Sequence, residues 1–91
     1  MTTWPKLAEP IEIAKFWKNR RRADAVHITL QTYKDANIID CRIYYTNAQG
    51  QMRPSNRGLA MGVAKLRELH DGIGKALAKA RELGLIDEGA E

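Results

Sequence analysis

Ninety-one residues allow one small domain and exclude a multidomain enzyme with separate cofactor and substrate halves. Hydrophobic residues at 44% and charged residues at 29% exclude wholesale disorder. The net charge of +4 is concentrated in residues 15–22, where Lys15, Lys18, Arg20, Arg21 and Arg22 stand with no acidic residue among them; such an excess suits a polyanion, most often nucleic acid, because Lys and Arg release counterions from phosphates, although a solvated loop can carry the same run.

Residues 1–10 hold Pro5 and Pro10 around Trp4 and Leu7 and read as a flexible arm. They lack the basic patch and apolar run of a secretory signal. No stretch of the chain approaches ~18 consecutive apolar residues, so the expected setting is the cytoplasm. Ile11, Ile13, Phe16 and Trp17 over 11–17 are too few to separate a strand from a helix, with a strand the favoured reading, and a polar, Arg-rich loop follows over 19–25. The period then becomes plain, because Val26, Ile28 and Leu30 alternate with His27, Thr29 and Gln31. This is a strand with one packed and one open face, and Tyr33 falls on the open side. Residues 34–37 predict a hairpin turn. In the next strand, over 37–45, Ile39, Cys41 and Ile43 share one parity and Asp40, Arg42 and Tyr44 the other. Cys41 is the only cysteine, which leaves no partner for a disulfide or a thiolate zinc centre and fits a reducing compartment.

Asn47 and Gly50 predict a turn over 46–50 into a third strand near 51–53, which Pro54 ends or confines to an edge. A further turn over 55–58 leads to a short fourth strand over 59–61. From Gly62 the period becomes helical. Leu66, Leu69, Ile73, Leu77, Ala80 and Leu83 form one stripe, Gly84 is a stop, and 85–91 is an acidic tail. Gly72 and Gly74 mark either a weak point or a close helix–helix approach. The fold class is therefore α+β, over residues 11–84. One helix covers one face of the sheet, and the other face, carrying Tyr33 and Arg42, stays open. The helix stripe exceeds what one small sheet can cover, which favours a homodimer.

An open face of rings and guanidinium groups can bind unpaired nucleic acid, because each base offers a π-face for stacking while cations follow the backbone. Candidates are Tyr33, Tyr44 or Tyr45 for stacking, and Lys34, Arg42, Arg53 and Arg57 for phosphates. The competing reading makes these tyrosines half-buried cross-strand neighbours. No active site, cofactor or metal is expected. His27 and His70 read as surface histidines in separate elements, Asp24, Asp35 and Asp40 lack metal-ligand spacing, and no glycine-rich phosphate loop or nucleophile motif occurs. Two other functions compete. One is a helix-turn-helix that reads duplex DNA, with helices over 66–70 and 75–83 joined at 71–74. The other is a protein-binding scaffold dimer.

Ile39-Asp40-Cys41-Arg42-Ile43-Tyr44-Tyr45, the turn Asn47-Ala48-Gln49-Gly50, then Gln51-Met52-Arg53-Pro54 and Gly58-Leu59 carry a resemblance. Over 26–69 the chain resembles the positive cofactor four family of transcriptional coactivators, and its compact form looks bacterial or viral. The resemblance implies a curved four-stranded antiparallel sheet followed by one long C-terminal helix. It implies a homodimer that binds single-stranded DNA, or RNA, without catalysis and with little sequence preference, in the service of transcription, replication, repair or phage growth at the nucleoid. It gives stacking roles to Tyr33 and Tyr45, backbone contacts to Arg42, Arg53 and Arg57, and dimerisation to the helix through Leu66, Leu69, Ile73 and Leu77. Lys34 and the run Arg20, Arg21 and Arg22, which lies in an insertion before the second strand, add salt-sensitive attraction. Asp35 stands where the family usually has glycine, and Gln31 and Asn56 replace basic residues. Strict alternation sets Tyr44 on the face of Arg42, whereas the resemblance selects Tyr45; a β-bulge near Ile43 would reverse the facing and reconcile the two.

Overall fold

Alternating apolar and polar side chains fold residues 24–46 into a long hairpin of two strands, β2 (Asp24–Tyr33) and β3 (Ala36–Thr46). Its ladder runs unbroken from Asp24 opposite Tyr45 to Tyr33 opposite Ala36. Lys34 and Asp35 close it as a two-residue turn, both with positive φ (50° and 65°), the left-handed pair that matches the twist of antiparallel strands. β1 (Ile11–Trp17) pairs with the outer side of β2, with an irregularity at Ile13, and β4 (Met52–Gly62) pairs with the outer side of β3. The result is one antiparallel sheet in the order β1-β2-β3-β4, then a 3₁₀ turn Val63–Lys65 and a single helix, α1 (Leu66–Glu82). The computed structural model describes residues 4–86, so the acidic tail expected over 85–91 lies outside the described residues from 87 onward.

β4 departs from the sequence reading. The third strand near 51–53, the turn over 55–58 and the short strand over 59–61 are one continuous strand. Pro54 is tolerated inside it because β4 is an edge, where a missing amide donor leaves no ladder bond unmade. What read as a turn is a bulge: Arg42 faces Gly58 and Tyr44 faces Pro54, so Ser55, Asn56 and Arg57 together oppose Ile43. Ser55 Oγ fastens the bulge by donating to the Ile43 carbonyl (2.6 Å) and accepting from Arg57 N–H (3.1 Å).

The helix is also placed differently from expectation. It does not cover a sheet face. None of its residues is buried, Ile73 and Leu77 stand 60% and 42% exposed, and it is the 3₁₀ turn that packs on β3. Gly84 stops it as foreseen: with φ +72°, it donates to the Arg81 carbonyl while Leu85 N–H reaches the Ala80 carbonyl, the paired bonds of a Schellman ending. The helix-turn-helix alternative is excluded, since Asp71 to Gly74 continue one helix without a turn.

Only Ala25, Ile39 and Asp40 are buried among the described residues. The chain measures 48 × 39 × 19 Å with a radius of gyration of 15.8 Å, against about 12 Å for a compact chain of this length. It is one layer of sheet with a projecting helix. Directly opposed residues share a face. Lys15 and Trp17 of β1 therefore lie with His27, Thr29, Gln31 and Tyr33 of β2 and Asp40, Arg42 and Tyr44 of β3 on a polar face, whereas Phe16, Val26, Ile28, Leu30, Ile39, Cys41 and Ile43 form an apolar one.

Candidate nucleic-acid interface

Two rings stand open where strand aromatics are ordinarily half-buried. Tyr33, at the hairpin end of β2, is 59% exposed, and Tyr45, at the opposite end of β3, is 42% exposed. Nine residues of strand separate the two ends, about 30 Å at 3.3 Å per residue. Each ring has a cation beside it. Lys34 Nζ lies 5.4 Å from the Tyr33 ring centroid, and Arg53 is directly opposite Tyr45 in β4, its guanidinium donating to Gln51 Oε1 (2.9 Å).

The tyrosines do not share a face. The register shift near Ile43 exists, but its extra residues are in β4, and the ladder between β2 and β3 is regular through that point. The alternation of β3 is therefore not reversed, and the expected reconciliation fails. Tyr44 sits with Arg42 on the polar face, and Tyr45 closes the end of the apolar one. Tyr44 is no free ring: it is half-buried and stacks on His27 with centroids 3.8 Å apart and planes 9° from parallel. His27 is accordingly not the surface histidine that the sequence suggested. Its side chain is 13% exposed, Nδ1 lies 3.9 Å from Glu12 Oε1, and Nε2 is buried without a hydrogen-bond partner. His70 is exposed beside Asp71, as read.

Arg42 is held rather than free. Its Nε and Nη2 donate to the two oxygens of buried Asp40 (3.1 and 2.9 Å) and Nη1 donates to the Ser55 carbonyl (3.0 Å). The hydrogen bond to Asp40 raises its pKa further above an already high value, so it stays charged. A guanidinium has five N–H donors, so two are not engaged by these partners. Arg57 stands exposed on the β4 bulge.

Arg20, Arg21 and Arg22 occupy the loop between β1 and β2, all exposed. Lys18 N–H donates to the Asp24 carbonyl (2.8 Å), Arg22 adopts φ +56°, and Thr46 ties the loop to β3 by donating twice to the Ala23 carbonyl (3.2 and 3.0 Å). The structure thus brings the Arg run, Tyr45 and Arg53 to one end of the sheet, and leaves Tyr33 and Lys34 at the other. At that second end the arm is fastened: Leu7 N–H donates to Thr32 Oγ1 (2.8 Å), Asn37 Nδ2 to the Pro5 carbonyl (2.8 Å), and Lys6 Nζ pairs with Asp35 (2.7 Å). Sequence reasoning missed Lys15 and Trp17, which join Ala25, His27 and Met52 around a hollow of the polar face; their i, i+2 spacing was the available signal. Among the described residues no cluster of His, Cys, Asp and Glu could hold a metal ion, and no helix is long and apolar enough to cross a membrane.

Residues 17–72, more than half of the chain, match the family described as Transcriptional Coactivator p15 (PC4). Among solved structures, the chain is similar to a PC4 homologue from Burkholderia pseudomallei. In the orthorhombic crystal form the TM-score is 0.64 at 18% identity, covering 79% of this chain and 95% of that one. In the tetragonal form the TM-score is again 0.64, at 19% identity, with 75% and 97% covered. It is also similar to the bacteriophage T5 homologue of the eukaryotic coactivator PC4, a protein implicated in recombination-dependent DNA replication, with a TM-score of 0.59, 11% identity, and 78% and 83% covered. No curated protein matches the sequence.

Proposed function

The chain belongs to the PC4 family of DNA-binding transcriptional coactivators, and from that membership we propose that it binds single-stranded DNA as a homodimer, without catalysis and with little sequence preference. The observation that carries this reading is the pair of exposed rings, each with a cation at its side: Tyr33 with Lys34, and Tyr45 with Arg53. A base can stack on each ring while the cation meets its phosphate. Duplex DNA keeps its bases inside and gains nothing from such platforms. Because the rings lie on opposite faces, a strand that uses both winds round the end of the sheet where Arg20, Arg21 and Arg22 stand, and those side chains give it sequence-independent attraction. Arg42 and Arg57 supply further backbone contacts along the way.

The dimer forms through the stripe Leu66, Leu69, Ile73 and Leu77, of which Leu66 and Leu69 are half-buried and Ile73 and Leu77 stand exposed in their own chain. Residues 11–84 are the binding and dimerisation unit, and its place of work is the DNA of the nucleoid, in transcription or replication. The similarity to the phage T5 protein, implicated in replication, makes the second of these processes as natural as the first.

Fluorescence anisotropy with matched single- and double-stranded oligonucleotides over a range of salt tests the reading. Single strands should bind more tightly, with affinity falling as salt rises. Tyr33→Ala and Tyr45→Ala should each weaken single-strand binding by about 1–3 kcal/mol and leave the dimer intact. A preference for duplex, or binding to neither, refutes the proposal, and the latter outcome returns the chain to the scaffold reading.

A further inference from the structure

β1 pairs with β2 so that Lys15 lies opposite His27 and Trp17 opposite Ala25, both on the polar face. Ala25 is buried and ends in a methyl group, so the sheet surface dips there. Lys15, Trp17, His27 and Met52, whose side chains share that face, stand round the dip as the walls of an open hollow. Tyr44, directly across from Ala25 in β3, does not line it, because its ring is engaged flat against His27. Trp17 keeps 47% of its surface in solvent, a large apolar ring exposed at the rim of the hollow.

We propose that this hollow takes one unpaired nucleobase, stacked on Trp17, with Lys15 meeting the attached phosphate. The inference rests on the single-strand reading above and extends the contact surface onto β1, all of which but Trp17 precedes the family match. Two strand spacings, about 9.5 Å, separate the β1 and β3 backbones across Ala25, enough to admit a flat heterocycle edge-first. Indole, imidazole and thioether walls are polarisable surfaces that suit a base. Charge completes the match: Lys15 borders the hollow and Lys18, Arg20, Arg21 and Arg22 follow in the loop that continues β1, so a polyanion is drawn there where an apolar peptide side chain is not.

The test uses the full chain with Trp4→Phe, which leaves Trp17 as the only tryptophan, titrated with single-stranded oligothymidylate while anisotropy of the labelled oligonucleotide and Trp17 emission are read together. Emission should change in step with binding. Trp17→Ala should weaken binding by roughly 5- to 150-fold, the equivalent of one stacked base, Trp17→Phe should restore most of it, and Lys15→Gln should reduce the salt slope by about one. Binding seen by anisotropy with unchanged Trp17 emission overturns the inference and leaves the tyrosine platforms standing, and so does Trp17→Ala affinity within twofold of the parent. A Trp17 emission shift on dilution without oligonucleotide identifies a second copy of the chain as the occupant and equally overturns it. No binding by the parent protein removes the single-strand reading and this inference together.

Discussion

Gly58 shows how little room the sheet leaves at its bulged edge. A Cβ at that position would fall 2.6 Å from the Cys41 carbonyl oxygen and 2.9 Å from the Arg42 Cα, both backbone atoms that cannot swing aside. Gly58→Ala should therefore lower stability by about 1–3 kcal/mol, read as a fall in the denaturant midpoint with an unchanged slope. Gly72→Ala, where nothing lies within 4 Å of the added methyl in this chain, is the contrasting control. Beside Gly58, burial and then the neighbouring Asp40 carboxylate push the Cys41 thiol above its usual range. A raised folded value means the unfolded chain releases its proton first. This contribution to stability is intact below the ordinary thiol pKa of about 8.5 and is lost as pH rises through the folded value. Near pH 8, native Cys41 should react with iodoacetamide more slowly than the same residue in denaturant, as followed by mass spectrometry; equal rates would show that the thiol is neither shielded nor shifted.

At the scale of single elements, the tight turn between β2 and β3 is built from two residues that both pay a left-handed backbone penalty. Asp tolerates this region better than most, yet glycine enters it without the ~1–2 kcal/mol steric cost of a side chain. Asp35→Gly should raise Tm modestly, because the exposed ion pair with Lys6 that it removes contributes little. Elements with a clean period were legible in the sequence. β2 and β3 could be read from alternation to within two residues at each end, and the helix from its 3–4 spacing and its glycine stop. β4 was not, because Pro54, Ser55 and Gly58 are turn formers in isolation, and only the partner strand reveals that they sit in a bulged edge. The facing of Tyr45 was legible in the alternation of β3 itself, and the bulge invoked to reverse it does not do so, since a bulge changes a strand's parity only when the extra residue is its own. β1 was too short to assign its faces, which is why Lys15 and Trp17 were not set on one face with His27 until their partners His27 and Ala25 were known.

Over the whole molecule, apolar surface is distributed as it would be in half of a larger body. On the apolar sheet face Phe16 and Leu59 are about half exposed, and on the helix stripe Ile73, Leu77 and Leu83 are open to solvent. Ile73→Asp, placing a charge at an exposed position in the middle of that stripe, should convert the proposed dimer to monomer in sedimentation velocity, with loss of cooperative melting. A variant that still sediments as a dimer would place the interface elsewhere, with β1 and β4, the two free sheet edges, as the next surfaces to test. Single-strand affinity should fall with it, since linked platforms gain from one another only while they are held together.

A body 19 Å thick that seals off little more than Ala25, Ile39 and Asp40 has almost no interior to protect when isolated. For such a chain the dimer proposed above makes acquiring shape and finding a mate the same event, so dilution should act as a denaturant: the midpoint of heating would climb with every increase in protein loaded, by mass action alone.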